Sequence, residues 1–418
     1  MKPKAMYTLV FVVVAAAMFF TGISVALAQS AQQVSNNSGS TPVNPSALSA
    51  TTNILNPGVV SWVHFGDLLI TTADQQNYID FKTIIYNTNH YFKNGVNFAL
   101  LPGDNTNDNT ESEYLLIKQA TDQLQVPLYA ILGGRDHKGG TTLYNKYLEP
   151  VNYQSFTADK YHFVFLDVMS GISDAQNSWL INDLDMAAKA GLKSVIFMHS
   201  YAQVSELQDV ILRDNVIMVD AGYTHYNDVS NDGNTIYATT RSIGLVSEGP
   251  VGYSVTNLDN GVVSWKFKQM GSWPFVMITA PADKLLMIGS SQVVKDTADV
   301  RVKVWDDKGV VSAIMQIDGG QNVAMDRIGT TQMWSARFDA TKVAEGDHRI
   351  RVKVTGEGGN TDQDVITVTV NRSGIVPQVK RSFGPEGNSV GSYTEKGLLG
   401  THTTTSGFPN KAVKDDKH

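Results

Sequence analysis

Between Val59 and about Lys268, short apolar runs alternate with segments whose apolar residues recur at helical spacing. The runs "VVSWVHF", "VNFALL", "PLYAIL", "YHFVFLD", "SVIFMH", "VIMVD", "TIYAT", "VGYSVTNL" and "VVSWKFK" have strand length and composition. Tyr78, Phe81, Ile85 and Phe92 share one face of a helix predicted over 77–92. Leu116, Ala120 and Leu124 do the same over 111–124. A third helix is predicted to start at Ser173, whose spacing to Gln176 is that of a capping box, and to end before Gly191. Alternation of strand and helix predicts a layered α/β arrangement, and the final strands, with no helix between them, predict an antiparallel part.

Beyond 273 the period changes. In "VRVKVW", Val300, Val302 and Val304 alternate with Arg301 and Lys303, the pattern of a half-buried strand. "AIMQI", "MWSARF", "HRIRVKV" and "DVITVTV" repeat it, separated by turns at "DDKG", "DGG", "EGD" and "EGGN". Short strands punctuated in this way predict a small all-β sandwich over 273–371.

The ends of the chain lack both patterns. Residues 1–28 combine Lys2 and Lys4, the run "TLVFVVVAAAMFF" and a small-residue "ALA" at Ala26–Ala28. This is the form of a secretory signal peptide, with an uncut anchor as the alternative. Cleavage would leave no stable membrane span and an exported chain, periplasmic or extracellular. Residues 29–54 are rich in Ser, Asn, Gln and Thr and read as a flexible linker, leaving 55–272 for the α/β domain. Residues 372–418 read as a polar, mostly irregular tail.

Composition narrows the chemistry. The 418 residues are 42% hydrophobic and 17% charged, which suffices for a core in more than one domain. Loss of Lys2 and Lys4 with the leader takes the formal charge from −7 to −9. An acidic exported chain is not expected to bind nucleic acid. With no cysteine, any metal must be held by oxygen and nitrogen donors.

Five polar residues follow apolar strands: Asp67, Asp104, Asp136, His199 and His225. Each alone reads equally as a capped turn. Together they would gather at one edge of an α/β sheet, where two carboxylates and two imidazoles outline a divalent-metal site. His64, three residues before Asp67, falls on the other side of the pleat and reads as a core residue.

The order of these segments resembles the calcineurin-like metallophosphoesterase family, whose pattern is Asp-x-His, Gly-Asp, Gly-Asn-His-Asp, a lone His after a strand, and Gly-His-x-His. Here "GDLL" at 66–69, "PGDN" at 102–105, "GGRD" at 133–136, "FMHS" at 197–200 and "GYTH" at 222–225 stand at those places. The surrounding "VPLYAILGGRD", "FVFLDV", "WLINDLD" and "TIYATT" also fit. The resemblance covers about 59–268, and the region after it looks like the immunoglobulin-like β domain of some exported members. It implies a four-layer α/β/β/α metallophosphoesterase sandwich followed by a small all-β immunoglobulin-like sandwich.

The resemblance also implies a ligand set. One ion would take Asp67, Asp104 and His225, but the position of its remaining histidine is Leu69. A second ion would share Asp104 and take His199, but its other ligand positions are Gly134 and Tyr223. Arg135 stands where the family has a catalytic histidine, so the catalytic segment here is Arg135 and Asp136. Arginine cannot act as a general acid near neutral pH but can hold a phosphate oxygen through paired hydrogen bonds. His137 can compensate by turning into the vacated position, or be an ordinary loop histidine; Asp136 can equally pair with Arg135 and fix the turn. The implied cofactor is a divalent metal (Mn, Fe or Zn), one or two ions, and the implied partner a phosphate-containing small molecule or polymer. Three readings stay open: a phosphoesterase with a reduced, mononuclear site, a catalytically inactive binding or cell-surface protein, and a wholly structural exported protein. Against the last stand the four surviving donors.

Overall fold

The computed structural model describes residues 58–92, 94–213, 215–246, 248–289, 293–374 and 383–400. The predicted signal peptide and linker, and the last part of the tail, lie outside the described residues. The chain runs β1 (Val59–His64), α1 (Gln76–Asn87), β2 (Phe98–Leu101), α2 (Glu111–Thr121), β3 (Leu128–Ala130) and α3 (Thr142–Tyr147). It continues through β4 (Gln154–Ala158), β5 (Tyr161–Phe165), α4 (Asp174–Lys189), β6 (Lys193–Met198), α5 (Gln208–Ile211), β7 (Val216–Ala221), β8 (Asp228–Asn231) and β9 (Ile236–Thr239). The hairpin β10 (Gly252–Asp259) and β11 (Val262–Gln269) follows.

These strands make two sheets, ordered β11-β10-β1-β2-β3 and β4-β5-β6-β7-β9-β8. Strands β1, β2 and β3 are parallel, as are β5, β6, β7 and β9. The helix-free β10 and β11 are not a separate part; β10 pairs antiparallel with β1 and extends the first sheet.

Side-chain alternation along each strand then sets the layers. On β1, Val63 turns outward to meet Phe81 and Ile84 of α1 and Tyr114 and Ile117 of α2. Trp62, its neighbour, turns inward and packs with Phe98, Phe163 and Phe197 between the sheets. On the far side, Leu180 and Leu184 of α4 and Val210 and Ile211 of α5 cover Val164, Ile196 and Val219. The α/β/β/α layering is therefore present. The helix predicted over 77–92 ends at Asn87 and continues as a wider π turn, Thr88–Phe92, which keeps Phe92 in the core.

The second region comprises β12 (Phe275–Ala280), β13 (Thr297–Trp305), β14 (Val310–Ile317), β15 (Val323–Ala324), β16 (Asp326–Arg327), β17 (Met333–Asp339), β18 (Gly346–Gly356) and β19 (Thr361–Val370). They form two four-stranded sheets, β12-β13-β17-β16 and β15-β14-β18-β19, around a core that includes Val300, Val302 and Val304. The expected all-β sandwich is thus observed. The expectation that Lys303 faces solvent is corrected. The opposite face of β13 lies against the first sheet, so Lys303 is fully buried and its Nζ donates to Ser61 Oγ at 2.8 Å. Trp273, Phe275 and Trp305 join Phe92 and Tyr253 in one cluster. Part of the outer layer over the first sheet is therefore sandwich rather than helix.

Within the expected tail, residues 383–400 are packed against the rest of the chain. Val390 N donates to Val229 O (2.8 Å) and Asn231 N to Asn388 O (3.1 Å), while Tyr393 and Leu398 pack against the inter-sheet core. Lys396 pairs with both oxygens of Asp364 at 2.8 Å, in a fully buried contact with the sandwich. No helix among the described residues is long and apolar enough to cross a membrane.

Candidate metal centre

Strands β1, β2 and β3 of one sheet and β6 and β7 of the other deliver their C-terminal loops to the same edge, so the site is built from both sheets. Asp67 follows β1, and its backbone carbonyl accepts from Ser242 Oγ (2.8 Å), Gly244 N (2.9 Å) and Ile243 N (3.0 Å). Asp104 follows β2, and its carbonyl accepts from Leu69 N at 3.0 Å, which fastens the two loops together. Glycines permit the close approaches. A Cβ on Gly222 would lie 2.4 Å from Asp67 Oδ1, and one on Gly133 would lie 2.0 Å from Asp104 N. Leu69, Asp104, Tyr223 and His225 all adopt positive φ, at 50°, 49°, 72° and 60°. For Leu, Tyr and His this is a strained conformation, and such strain gathers at functional sites.

Asp67, Asp104 and His199 are buried, and each offers a ligand atom within 4.8 Å of the others. Asp67 Oδ2 accepts from Tyr223 N at 3.0 Å, whereas its Oδ1 is buried with no hydrogen-bond partner. Asp104 Oδ1 accepts from Arg135 N at 2.9 Å. His199 Nδ1 lies 2.8 Å from Pro102 O. A carbonyl only accepts, so Nδ1 carries hydrogen and Nε2 is the nitrogen that faces the carboxylates. Nε2 is buried without a hydrogen bond, 3.4 Å from Asp104 Oδ1. A neutral imidazole in this pose aims a lone pair at two carboxylates, an arrangement that only a bound cation or a proton makes favourable. Anchoring of the second ring nitrogen to a backbone carbonyl is the usual support of a metal-ligating histidine. Two oxygens and one nitrogen, buried and convergent, fit one divalent ion.

Burial pushes the Asp67 carboxyl up to about 7. Burial acts the same way on Asp104, but His199 and Arg135 override it and bring Asp104 down to about 2. Burial opposes the charged form of His199, yet Asp104 and Asp67 raise it to about 9.

The remaining expected residues divide into those at the centre and those beside it. His225 Nδ1 is 3.7 Å from Asp67 Oδ2, but His225 lies outside the mutual group, and His199 takes the place expected of it as third donor. Leu69 is buried at its ligand position and supplies no donor. Gly134 leaves a gap in which a Cβ would meet only Met169 Cε, at 3.2 Å. Tyr223 is half exposed, and its ring lies roughly perpendicular to that of His199, centroids 5.6 Å apart. Arg135 places Nε 3.7 Å from Asp104 Oδ2 and donates from its guanidinium to Asn107 Oδ1 at 2.7 Å.

Two expectations are corrected. Asp136 lies outside the mutual donor group and, among the described residues, does not pair with Arg135. Its carboxylate accepts from the backbone N of Asn105, Thr106 and Gly133 and from the side chains of Asn105, Thr106 and Tyr114, at 2.9–3.2 Å. It knits the loops after β2 and β3 together. His137 does not turn into the vacated ligand position, because its Nε2 is held by Asp167 Oδ1 at 2.9 Å. Asp167 in turn is gripped by Gln176, which accepts from Asp167 N (3.0 Å) and donates to Asp167 O (2.7 Å). Ser173 Oγ does cap α4 by accepting from Gln176 N, but Gln176 is turned to Asp167 rather than back to the cap. His64 is a core residue, as expected. It shares Asp220 with Trp62, at 2.9 and 2.8 Å, which ties β1 to β7 beneath the centre. Asp167 and Asp220 both end apolar strands, the same signal that singled out Asp67, so both were open to discovery from sequence.

No family profile matches the sequence, and no curated protein matches it. Among solved structures, the chain is similar to GAP50, the anchor in the inner membrane complex of Plasmodium, with 17% identity over 50% of this chain and 84% of that one and a TM-score of 0.41. It is also similar to a dimetal phosphatase from Danio rerio, with 12% identity over 50% of this chain and 96% of that one and a TM-score of 0.41. A purple acid phosphatase from yellow lupin (Lupinus luteus) shares 12% identity over 76% of this chain and 55% of that one, with a TM-score of 0.36.

Proposed function

We propose that the chain is an exported calcineurin-like metallophosphoesterase with a reduced, mononuclear site and an immunoglobulin-like β domain, acting on a phosphate-containing small molecule or polymer. The observation that carries this reading is the buried, convergent group Asp67, Asp104 and His199, in which Asp67 Oδ1 has no hydrogen-bond partner and His199 Nε2 faces the carboxylates. Asp67, Asp104 and His199 would hold one Mn, Fe or Zn ion, with His225 beside Asp67. When bound, such an ion supplies Lewis-acid polarisation and lowers the pKa of water. Arg135 N–H fixes the orientation of the Asp104 carboxylate, and the guanidinium is placed to hold a phosphoryl oxygen. No imidazole stands at position 135 to protonate a leaving group, so esters of acidic alcohols or phenols should react best.

A second reading, a non-catalytic binding protein on the same scaffold, is favoured by the donor-free side chains at Leu69, Gly134 and the half-exposed Tyr223. Metal analysis of full-length protein purified without chelator separates the two. About one Mn, Fe or Zn per chain, lost together with aryl phosphodiester or monoester cleavage in Asp104→Ala, is the expected result. Metal-free protein, inert on both ester classes with added Mn or Zn, would establish the second reading instead.

A further inference from the structure

We propose that the Arg135 guanidinium takes the place of a second metal ion, so that the centre admits one ion only and grips an anion between that ion and Arg135. The inference rests on the metal-centre reading above and specifies how that centre is charged. Asp104 is approached from two sides. On one side lie Asp67 and His199, which complete the three-donor group. On the other lies Arg135, whose backbone N–H donates to Oδ1 at 2.9 Å and whose Nε stands 3.7 Å from Oδ2. The guanidinium is fixed by its bond to Asn107 Oδ1 at 2.7 Å, and its side chain keeps 17% of its exposure.

The two substituted positions, Gly134 and Tyr223, carry neither an amide nor an imidazole side chain. Gly134 contributes no side chain, and the half-exposed Tyr223 ring lies roughly perpendicular to that of His199. A metal here would have Asp104 alone, since the one available nitrogen of His199 belongs to the first group, and it would lie beside a guanidinium that cannot lose its proton. Like charges at such range in a poorly solvated site repel strongly. The same guanidinium is suited to a tetrahedral oxyanion, because its planar fork of N–H donors matches paired oxygens. Replacement of a mobile dication by a tethered monocation thus accounts for both the lost donors and the arginine beside them.

The test is ion stoichiometry, followed by anion affinity, on the full chain. Native mass spectrometry and calorimetric titration with Mn2+ should give one ion for wild type. Restoring donors with Gly134→Asn and Tyr223→His should still give one ion while Arg135 is present. Adding Arg135→His to that pair should admit a second ion. Inorganic phosphate should bind the Mn2+-loaded protein at least tenfold more weakly in Arg135→Met, and several-fold more weakly in Arg135→Lys, with one ion retained in both. Two ions in wild type or in the donor-restored pair would overturn the inference and leave the metal centre standing. Unchanged phosphate affinity in Arg135→Met would also overturn it. No ion in wild type, with Asp104→Ala indistinguishable from it, would remove the metal centre itself.

Discussion

At the scale of single residues, the site is organised by carboxylates with opposite tasks. Asp67 keeps one buried oxygen without a partner, whereas Asp136 has six donors on its two oxygens. A carboxylate so fully engaged builds structure, while one left open has an oxygen free to meet a cation. Asp136→Asn keeps the shape but turns an NH2 toward groups that themselves donate. It should destabilise the metal-free protein by about 2–4 kcal/mol in urea denaturation, from buried donors left without acceptors. Wild-type stability combined with lost ion binding would instead return Asp136 to the reacting centre. The spacing of strands and polar residues was enough to bring Asp67, Asp104, His199 and His225 to one edge. It could not tell Asp136 from Asp67, because both follow apolar strands, and their tasks are decided by which backbone N–H groups turn toward them. The positions of Asn105, Thr106 and Asn107 around Asp136 and Arg135 were hidden for the same reason.

At the scale of elements, helix caps hold the loops that carry the candidate donors. Thr110 and Glu113 form a complete reciprocal capping box at the start of α2. One turn later Tyr114 reaches Asp136 with its hydroxyl, at 3.2 Å. The cap therefore sets the height of the helix against the loop that holds Asp104 and Arg135. Thr110→Ala should cost about 1 kcal/mol of stability, read as a lowered urea midpoint with unchanged m-value. A Thr110→Ser variant should restore most of it, and an unaffected midpoint in Thr110→Ala would show that the cap is dispensable. The T-x-x-E spacing was legible in the sequence and more faithful than the Ser173 and Gln176 pair, whose glutamine is captured by Asp167. Spacing reports that a box can form, but tertiary partners decide whether its second arm closes. Strands β4 and β8 were illegible for a related reason. "QSFTA" and "DVSN" lack strict alternation, since both lie at edges of a sheet whose burial comes from neighbours rather than from their own pattern.

At the scale of the whole molecule, the sandwich is joined to the α/β domain through a polar layer that alternation along β13 could not reveal. A strand with valine inward and lysine outward looks half-solvated until a second domain covers the lysine. Lys303 is completely buried, donates to Ser61 Oγ, and has no carboxylate within ion-pairing distance among the described residues. Asp259, the acidic charge that acts on it, is already engaged by Arg301 Nε at 2.9 Å and Thr279 Oγ1 at 2.7 Å. Burial consequently lowers the Lys303 ammonium from its ordinary 10.5 to about 7, with Asp259 opposing only in part. The sign follows from proton counts. Between about pH 7 and pH 10.5 the unfolded chain holds this proton and the folded chain does not, so this group makes stability rise with pH across that window. Below pH 7 both states are protonated and the full penalty of burying the charge is felt. At about 1.4 kcal/mol per pH unit, the penalty is on the order of a few kcal/mol. Lys303→Met keeps the length of the side chain without the charge. It should be more stable than wild type at pH 6, and its advantage should shrink steadily as urea denaturation is repeated from pH 7 to pH 10. An advantage that does not change with pH would mean that Lys303 titrates in the folded protein as it does in the unfolded chain, solvated, and that the two domains do not close over it.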